Sequence, residues 1–361
     1  MPDRREFFRT VAGAAAGLLI ADRGFAGGLP WQAARPSRRE VSIGGKRIKV
    51  IDVHCHCIIP EATEAVQGTP MATAARGGPG GNTLGPQRLE IMDKQGVDVQ
   101  ALSINAYWWY GADRDLARRI VEVQNDGLAK WVAAHPDRFV AFASVALQFP
   151  DIAAEQLEHA VKDQGMRGVS IGGHVNGEEL TAAKYDPFWA KAAELGALVV
   201  MHPQSGTNVL KEGSLGPRAD LPNIIGNPLE TTVFLSRLIF DGTFDKFPGL
   251  RVFAPHGGGY LPSYLGRTDV ACDVRANANC ANKRKPHEYL KQNIFIDTMV
   301  FSEEGLRHLV AEAGADRVVY GTDVPFNWPV TVDLVLNAPF LGDADKAAIL
   351  AGNAAKLLRI T

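Results

Sequence analysis

Eight short runs rich in β-branched and other apolar residues recur along the chain, at 49–56, 97–104, 138–147, 167–173, 197–203, 250–257, 294–298 and 318–323. Amphipathic stretches with helical spacing lie between them, at 87–95, 114–135, 152–164, 185–195, 228–241 and 303–313. Parallel strands need a crossover between them, usually a helix, so this alternation predicts a parallel sheet. Eight such units suggest closure into a (β/α)8 TIM barrel, which a chain of 361 residues is long enough to build. Gly96-Val97, Gly168-Val169 and Gly196-Ala197 fit helix C-caps that feed the next strand. A last helical stretch, 343–358, is expected to pack outside the barrel, and Arg76-Gly77-Gly78-Pro79-Gly80-Gly81 reads as a loop lip over the first strand.

Apolar content of 46% and charged content of 22% are ordinary for a soluble globular enzyme. A net charge of −2 argues against nucleic acid or an anionic membrane surface as partner. Four cysteines, none in a Cys-x-x-Cys pair, are too few for a disulfide scaffold and weaken redox and structural-zinc readings. At the N-terminus, Arg4-Arg5-Glu6-Phe7-Phe8-Arg9 precedes a modest apolar run, 11–21, and then Gly24-Phe25-Ala26-Gly27-Gly28. Residues 1–28 therefore resemble a twin-arginine signal peptide, 29–48 a linker and lead-in, and 49–361 the barrel. That route exports folded proteins, which suits an enzyme that acquires a metal first, and it places the protein in the periplasm. The competing reading is a cytoplasmic tail, since Asp22-Arg23 makes the cleavage region imperfect. In an oxidising compartment Cys272 and Cys280 can pair.

Chemistry in such barrels collects at the C-terminal ends of the strands. Five of the nine histidines, His54, His56, His174, His202 and His256, fall at those ends, together with Asp323. Packing alone does not explain that concentration. On the first strand, alternation puts Asp52, His54 and His56 on one side and Val53, Cys55 and Cys57 on the other. Neutral imidazoles with one carboxylate suit a single divalent ion, Zn²⁺ first, with Mn²⁺ or Fe²⁺ as alternatives. His54, His56, His202 and Asp323 are assigned as its ligands, which leaves His256 as a catalytic base beside them. His174 is either a substrate contact or a hydrogen-bonded rim residue, and Asp297 either caps a helix or supports the ligands. Trp108-Trp109-Tyr110 lines a substrate pocket or packs a loop.

The order His54-Cys55-His56, His202-Pro203, Ala254-Pro255-His256-Gly257-Gly258-Gly259 and Gly321-Thr322-Asp323-Val324-Pro325-Phe326 resembles the amidohydrolase superfamily (amidohydrolase family 2). Together with the stretches 88–97, 99–103 and 174–176, it is similar to the branch of amino-carboxymuconate-semialdehyde decarboxylase and related aromatic-acid decarboxylases. The resemblance implies loss of CO₂ from an unsaturated or aromatic carboxylic acid, with His256 moving a proton. No lysine ends the fourth strand, which favours one metal over two. Arg88 and Arg267 match positions expected to hold substrate carboxylates, the second across a homodimer interface; both also read as surface ion-pair residues. Gln204-Ser205-Gly206 and Val324 depart from the branch where it lines the substrate space, so the substrate does not carry over. An exported metal-dependent hydrolase of a lactone, amide or ester is the rival reading, and a metal- or sugar-binding barrel without catalysis is the third.

Overall fold

The computed structural model of the chain describes residues 38–73, 83–105 and 108–361. The expected signal segment, 1–28, and the glycine-rich tract, 76–81, lie outside the described residues. Eight parallel strands form the frame: β1 (Ile51–Cys57), β2 (Val99–Ile104), β3 (Phe139–Ala141), β4 (Gly168–Gly172), β5 (Leu198–His202), β6 (Arg251–Ala254), β7 (Ile294–Asp297) and β8 (Val318–Val319). They pair in sequence order as β1-β2-β3 and β4-β5-β6-β7-β8. Two seams join these sheets into a ring. Ala143, just past β3, bridges Val169, with the Ser170 N–H donating to the Ala143 carbonyl at 2.8 Å. On the other side the Val53 N–H donates to Tyr320 O (3.0 Å) and the Asp323 N–H to His54 O (2.7 Å). A closed ring of eight parallel strands is the expected TIM barrel.

The crossovers are helices: α1 (Pro86–Gln95), α2 (Arg114–Ala134), α3 (Pro150–Lys162), α4 (Asp186–Leu195), α5 (Asn227–Phe240), α6 (Leu265–Val274) with α7 (Pro286–Gln292), and α8 (Glu303–Ala313). Local chemistry sets several ends. The Asp113 and Ser302 side chains accept the first free N–H groups of α2 and α8, and Gly96 and Gly196 take the left-handed conformation that ends α1 and α4. No helix among the described residues is long and apolar enough to cross a membrane.

Two expectations change. The stretch 343–358 is helical as expected, with a π-type turn at Ala348–Gly352 between Asp343–Ala347 and α9 (Asn353–Leu358), but its last turns do not lie outside the barrel. Ala354, Leu357 and Leu358 of α9 share one face and pack with Ile51, Val53 and other residues of the barrel interior, so the helix plugs the end opposite the histidines. On β1, the register against β2 shifts between Asp52 and Cys55. Val53 therefore lies in the barrel interior, whereas Cys55 and Cys57 join the outer layer, contrary to simple alternation. Asp52 does not join the imidazoles: its carboxylate accepts from Gln100 Nε2 (2.9 Å) and Thr322 Oγ1 (2.7 Å), tying β1 to its neighbours on both sides.

Part of the expected lead-in is folded. Ser42–Ile43 and Lys46–Arg47 form an antiparallel pair, Val41 is buried, and Arg38 and Arg47 both reach Asp98. Trp108, Trp109 and Tyr110 are buried in the core, with Tyr110 Oη accepting the Gly172 N–H at 3.0 Å. Cys272 on α6 is disulfide-bonded to Cys280.

Candidate metal centre

His54 and His56 end β1, His202 ends β5, and Asp323 follows β8, so the ring brings residues distant in sequence onto one rim. Three of the imidazoles share a pattern. The Nδ1 of His54 meets Asp297 Oδ2 at 2.7 Å, that of His56 meets Ser103 Oγ at 2.9 Å, and that of His202 meets the Pro203 carbonyl at 3.0 Å. An acceptor on Nδ1 fixes the tautomer and turns the Nε2 lone pair inward. The three Nε2 atoms and Asp323 Oδ1 are buried and make no hydrogen bond, although Asp323 Oδ1 lies 3.3 Å from His54 Nε2 and 3.0 Å from His56 Nε2. A buried polar atom without a partner costs about 1–3 kcal/mol, and one cation would satisfy all four. The donor set fits a divalent ion.

His256 is set apart. Its Nδ1 has no partner, its Nε2 stands 3.8 Å from Asp323 Oδ2, and its side chain is 14% exposed against 1–2% for His54 and His56. Potential ligand atoms of His54, His202, His256 and Asp323 also fall within 4.8 Å of one another, so His256 is near enough to touch whatever the others hold. His256 and Asp323 both have positive φ, 55° and 57°, a conformation costly for residues with a side chain. Gly257, Gly258 and Gly259 continue the left-handed run after His256, which explains the glycine triplet. Strained backbone of this kind is held in place only by its surroundings, here including the Gly257 N–H donating to Asp297 Oδ1 at 2.8 Å.

Electrostatics distinguish the imidazoles. Burial pushes His56 down to about 4 and His202 well below the usual histidine value, so both stand neutral and ready to donate a lone pair. Burial also opposes charge on His54, but the Asp323 and Asp297 carboxylates overcome it and raise its pKa to about 10. Asp323, though buried, is held well below the carboxylate range by its histidine neighbours, His54 first. In the metal-free centre the two carboxylates thus favour the protonated form of His54. A ligand must lose its proton to bind a metal, so if His54 holds the ion, loading would expel its proton. Because neutral pH lies below that pKa, apparent metal affinity should rise up to about tenfold per pH unit between roughly pH 6 and 8. Calorimetric titration in buffers of different ionisation heat should find close to one proton released per ion, and an affinity flat with pH would contradict this account.

The remaining expected residues fall differently. Asp297 supports His54 through Oδ2, while its Oδ1 accepts the Gly257 N–H in the short turn after β6 and the Met299 N–H. Arg88 is wholly buried and directs its guanidinium at the His56 carbonyl. Both ring nitrogens of His174 are engaged, Nδ1 accepting from the Gly177 N–H (2.9 Å) and Nε2 meeting Thr207 Oγ1 (2.9 Å). Arg267 is exposed on α6. A cavity of about 340 Å³ opens beside the centre, lined in part by Asn105, His202, Gln204, Ser205, Asp323 and Phe326. Ser103 and the Pro203 carbonyl were not anticipated as supports, since no spacing marks them; only the closed barrel sets them beside an imidazole.

Residues 51–360 match the family described as Amidohydrolase. The chain is similar to the 2-amino-3-carboxymuconate-6-semialdehyde decarboxylase of Dictyostelium discoideum, 31% identical over 276 residues and covering 75% of each chain. It is 33% identical over 291 residues to the gamma-resorcylate decarboxylase of Rhizobium sp. (strain MTP-10005), covering 76% of this chain and 86% of that one. Among solved structures, a dihydroxybenzoic acid decarboxylase from Polaromonas sp. JS666, with bound manganese and the inhibitor 2-nitroresorcinol, aligns with a TM-score of 0.71 at 26% identity, covering 87% of this chain and 97% of the other.

Proposed function

From its membership of the amidohydrolase family, to which this chain belongs, we infer that it is a metal-dependent carboxy-lyase that removes the carboxyl group of a small aromatic or unsaturated acid as CO₂ without an oxidant. The observation that carries this reading is the trio of imidazoles anchored at Nδ1 and orphaned at Nε2 around one carboxylate, in a chain that is 31% and 33% identical to two decarboxylases over about three quarters of its length. The hydrolytic alternative has no comparable support from those relatives.

His54, His56, His202 and Asp323 would hold the ion; a divalent cation there supplies a Lewis acid for the substrate's carboxylate or an adjacent oxygen. Zn²⁺ is our first expectation for three nitrogens and one oxygen; manganese, bound in the Polaromonas protein, is the direct rival. Asp323 neutralises the cation, and Asp297 and Ser103 keep two of the imidazoles aimed. His256 delivers a proton from its ring to the carbon that carries the carboxyl group. That carbon–carbon bond breaks, its electron pair passes to the new C–H bond, and CO₂ departs. Arg88 steadies His56 from behind through its carbonyl. Arg267 is the residue we assign to a substrate carboxylate of a neighbouring subunit in a homodimer, and His174 shapes the rim. Export to the periplasm is supported by the paired arginines and by the disulfide, a bond that persists in oxidising compartments.

The test is purified protein of known metal content, given dihydroxybenzoates, carboxymuconate-type acids, lactones and amides, with CO₂ and hydrolytic products followed together. CO₂ release that a chelator abolishes and Zn²⁺ or Mn²⁺ restores is the expected result. Hydrolysis without CO₂ would overturn it.

A further inference from the structure

His54 is steadied by a carboxylate directly, while His202 has only a backbone carbonyl, that of Pro203, at its Nδ1. The same peptide group carries the Gln204 N–H on its other side, and this N–H donates to Glu230 Oε2 at 2.8 Å. We propose that Glu230 is a positioning residue for the metal centre, acting on His202 through the Pro203–Gln204 peptide, as Asp297 acts on His54 by contact. A carboxylate accepting from a peptide N–H makes its carbonyl a stronger acceptor, because hydrogen bonds in a chain polarise one another. The stronger carbonyl holds the His202 Nδ1–H more firmly and leaves Nε2 a better and better-aimed donor.

Several observations show that this carboxylate is built into place. Glu230 is fully buried on the first turn of α5, and the Gly206 N–H also donates to its Oε2 at 2.9 Å. Its other oxygen faces Gly173 so closely that a Cβ there would lie 2.4 Å from Oε1, which reserves that position for glycine. Asn227, one turn earlier, accepts the Ser205 N–H at 2.8 Å, so α5 holds three successive amides, those of 204, 205 and 206. Ser205 has φ 62°, a conformation that this grip sustains. Gln204 and Ser205 line the cavity beside Asp323, yet only the 203–204 peptide leads to His202. The two grips therefore divide the work: Asn227 shapes the cavity wall, whereas Glu230 also reaches the centre.

The inference rests on His202 being a ligand, as proposed above. The experiment uses full-length protein above the Glu230 pKa, which burial raises to about 7. The Zn²⁺ dissociation constant of Glu230→Gln and Asn227→Ala is measured by competition with a chromophoric chelator, with kcat and KM for CO₂ release and thermal unfolding of the metal-free protein alongside. Glu230→Gln keeps an acceptor oxygen but loses the charge, and should weaken Zn²⁺ binding about tenfold or more, with a fall in kcat. Asn227→Ala should raise KM and leave metal affinity within about twofold, because the bond it loses does not lead to an imidazole. A folded Glu230→Gln variant with wild-type affinity would overturn the proposal, as would Asn227→Ala losing metal to the same degree. If Glu230→Gln does not fold, Glu230→Asp, which keeps the charge but shortens the reach, is judged by the same two criteria. His202→Ala in the same titration separates the two levels: wild-type affinity there removes the ligand assignment and the relay with it, whereas weak binding there beside an unaffected Glu230→Gln removes the relay alone.

Discussion

Asp323→Ala should yield a folded protein that retains little metal and releases almost no CO₂. The Asp323 carboxylate faces several of the inward nitrogens, with Oδ1 at 3.3 Å and 3.0 Å from His54 and His56 and Oδ2 at 3.8 Å from His256. Without it the cation's charge is met by neutral imidazoles in a buried site, an unfavourable exchange for any divalent ion. Loss of a group that merely orients a ligand costs about 10–100-fold in metal affinity, so loss of the ligand itself should exceed the upper end of that range. His202→Ala should behave alike, because its Nε2 has no other role in the chain. Elemental analysis of the purified variants checks both, and full occupancy in either would remove that residue from the ligand set.

His256→Ala has the opposite signature. Metal content should stay at the wild-type level while turnover falls by about 10²–10⁴-fold, the usual contribution of a positioned general acid or base. The distinction follows from how the ring is held. The other three imidazoles are pinned at Nδ1, and a pinned ring suits a ligand, whereas the ring of His256 has a free nitrogen and partial access to solvent, as proton transfer requires. KM should change less than kcat if the residue acts on the breaking bond rather than on substrate binding. Wild-type turnover would exclude His256 from proton transfer; loss of metal would recast it as a ligand.

The barrel was legible because its signal is repetitive: each strand is a short apolar run and each long helix an amphipathic one, and both periods are written in local sequence. The rim was legible for the same reason, since once strand ends are known, His54, His56, His202 and Asp323 fall on one edge. What local sequence does not carry are features created by closure. The register shift inside Ile51–Cys57 depends on how β1 meets β2, and alternation therefore placed Val53 on the wrong side. The plug formed by Ala354, Leu357 and Leu358 needs an open barrel end to enter, so the pattern of α9 reads equally well as an outer helix until the ring exists. Arg88 illustrates a third limit. Arginine's preference for carboxylates is a property of the side chain, but burial beneath His56 is a property of where α1 packs, and there the guanidinium donates to the His56 carbonyl.

The seam between β1 and β8 has a temporal meaning as well. Thr322 bonds to Asp52 across 270 positions, and the Asp323 N–H meets the carbonyl of His54 beside it. His54 and His56, which we propose as the first two ligands, thus leave the ribosome early, and Asp323 only when nearly the whole chain has been made. Contacts so distant in sequence form late, after intervening segments have ordered. Before β8 is made, a nascent chain carries the His-x-His pair without the Asp323 carboxylate. If these residues hold the ion, completion of the centre waits on the eighth strand, and a chain interrupted before it should bind metal weakly.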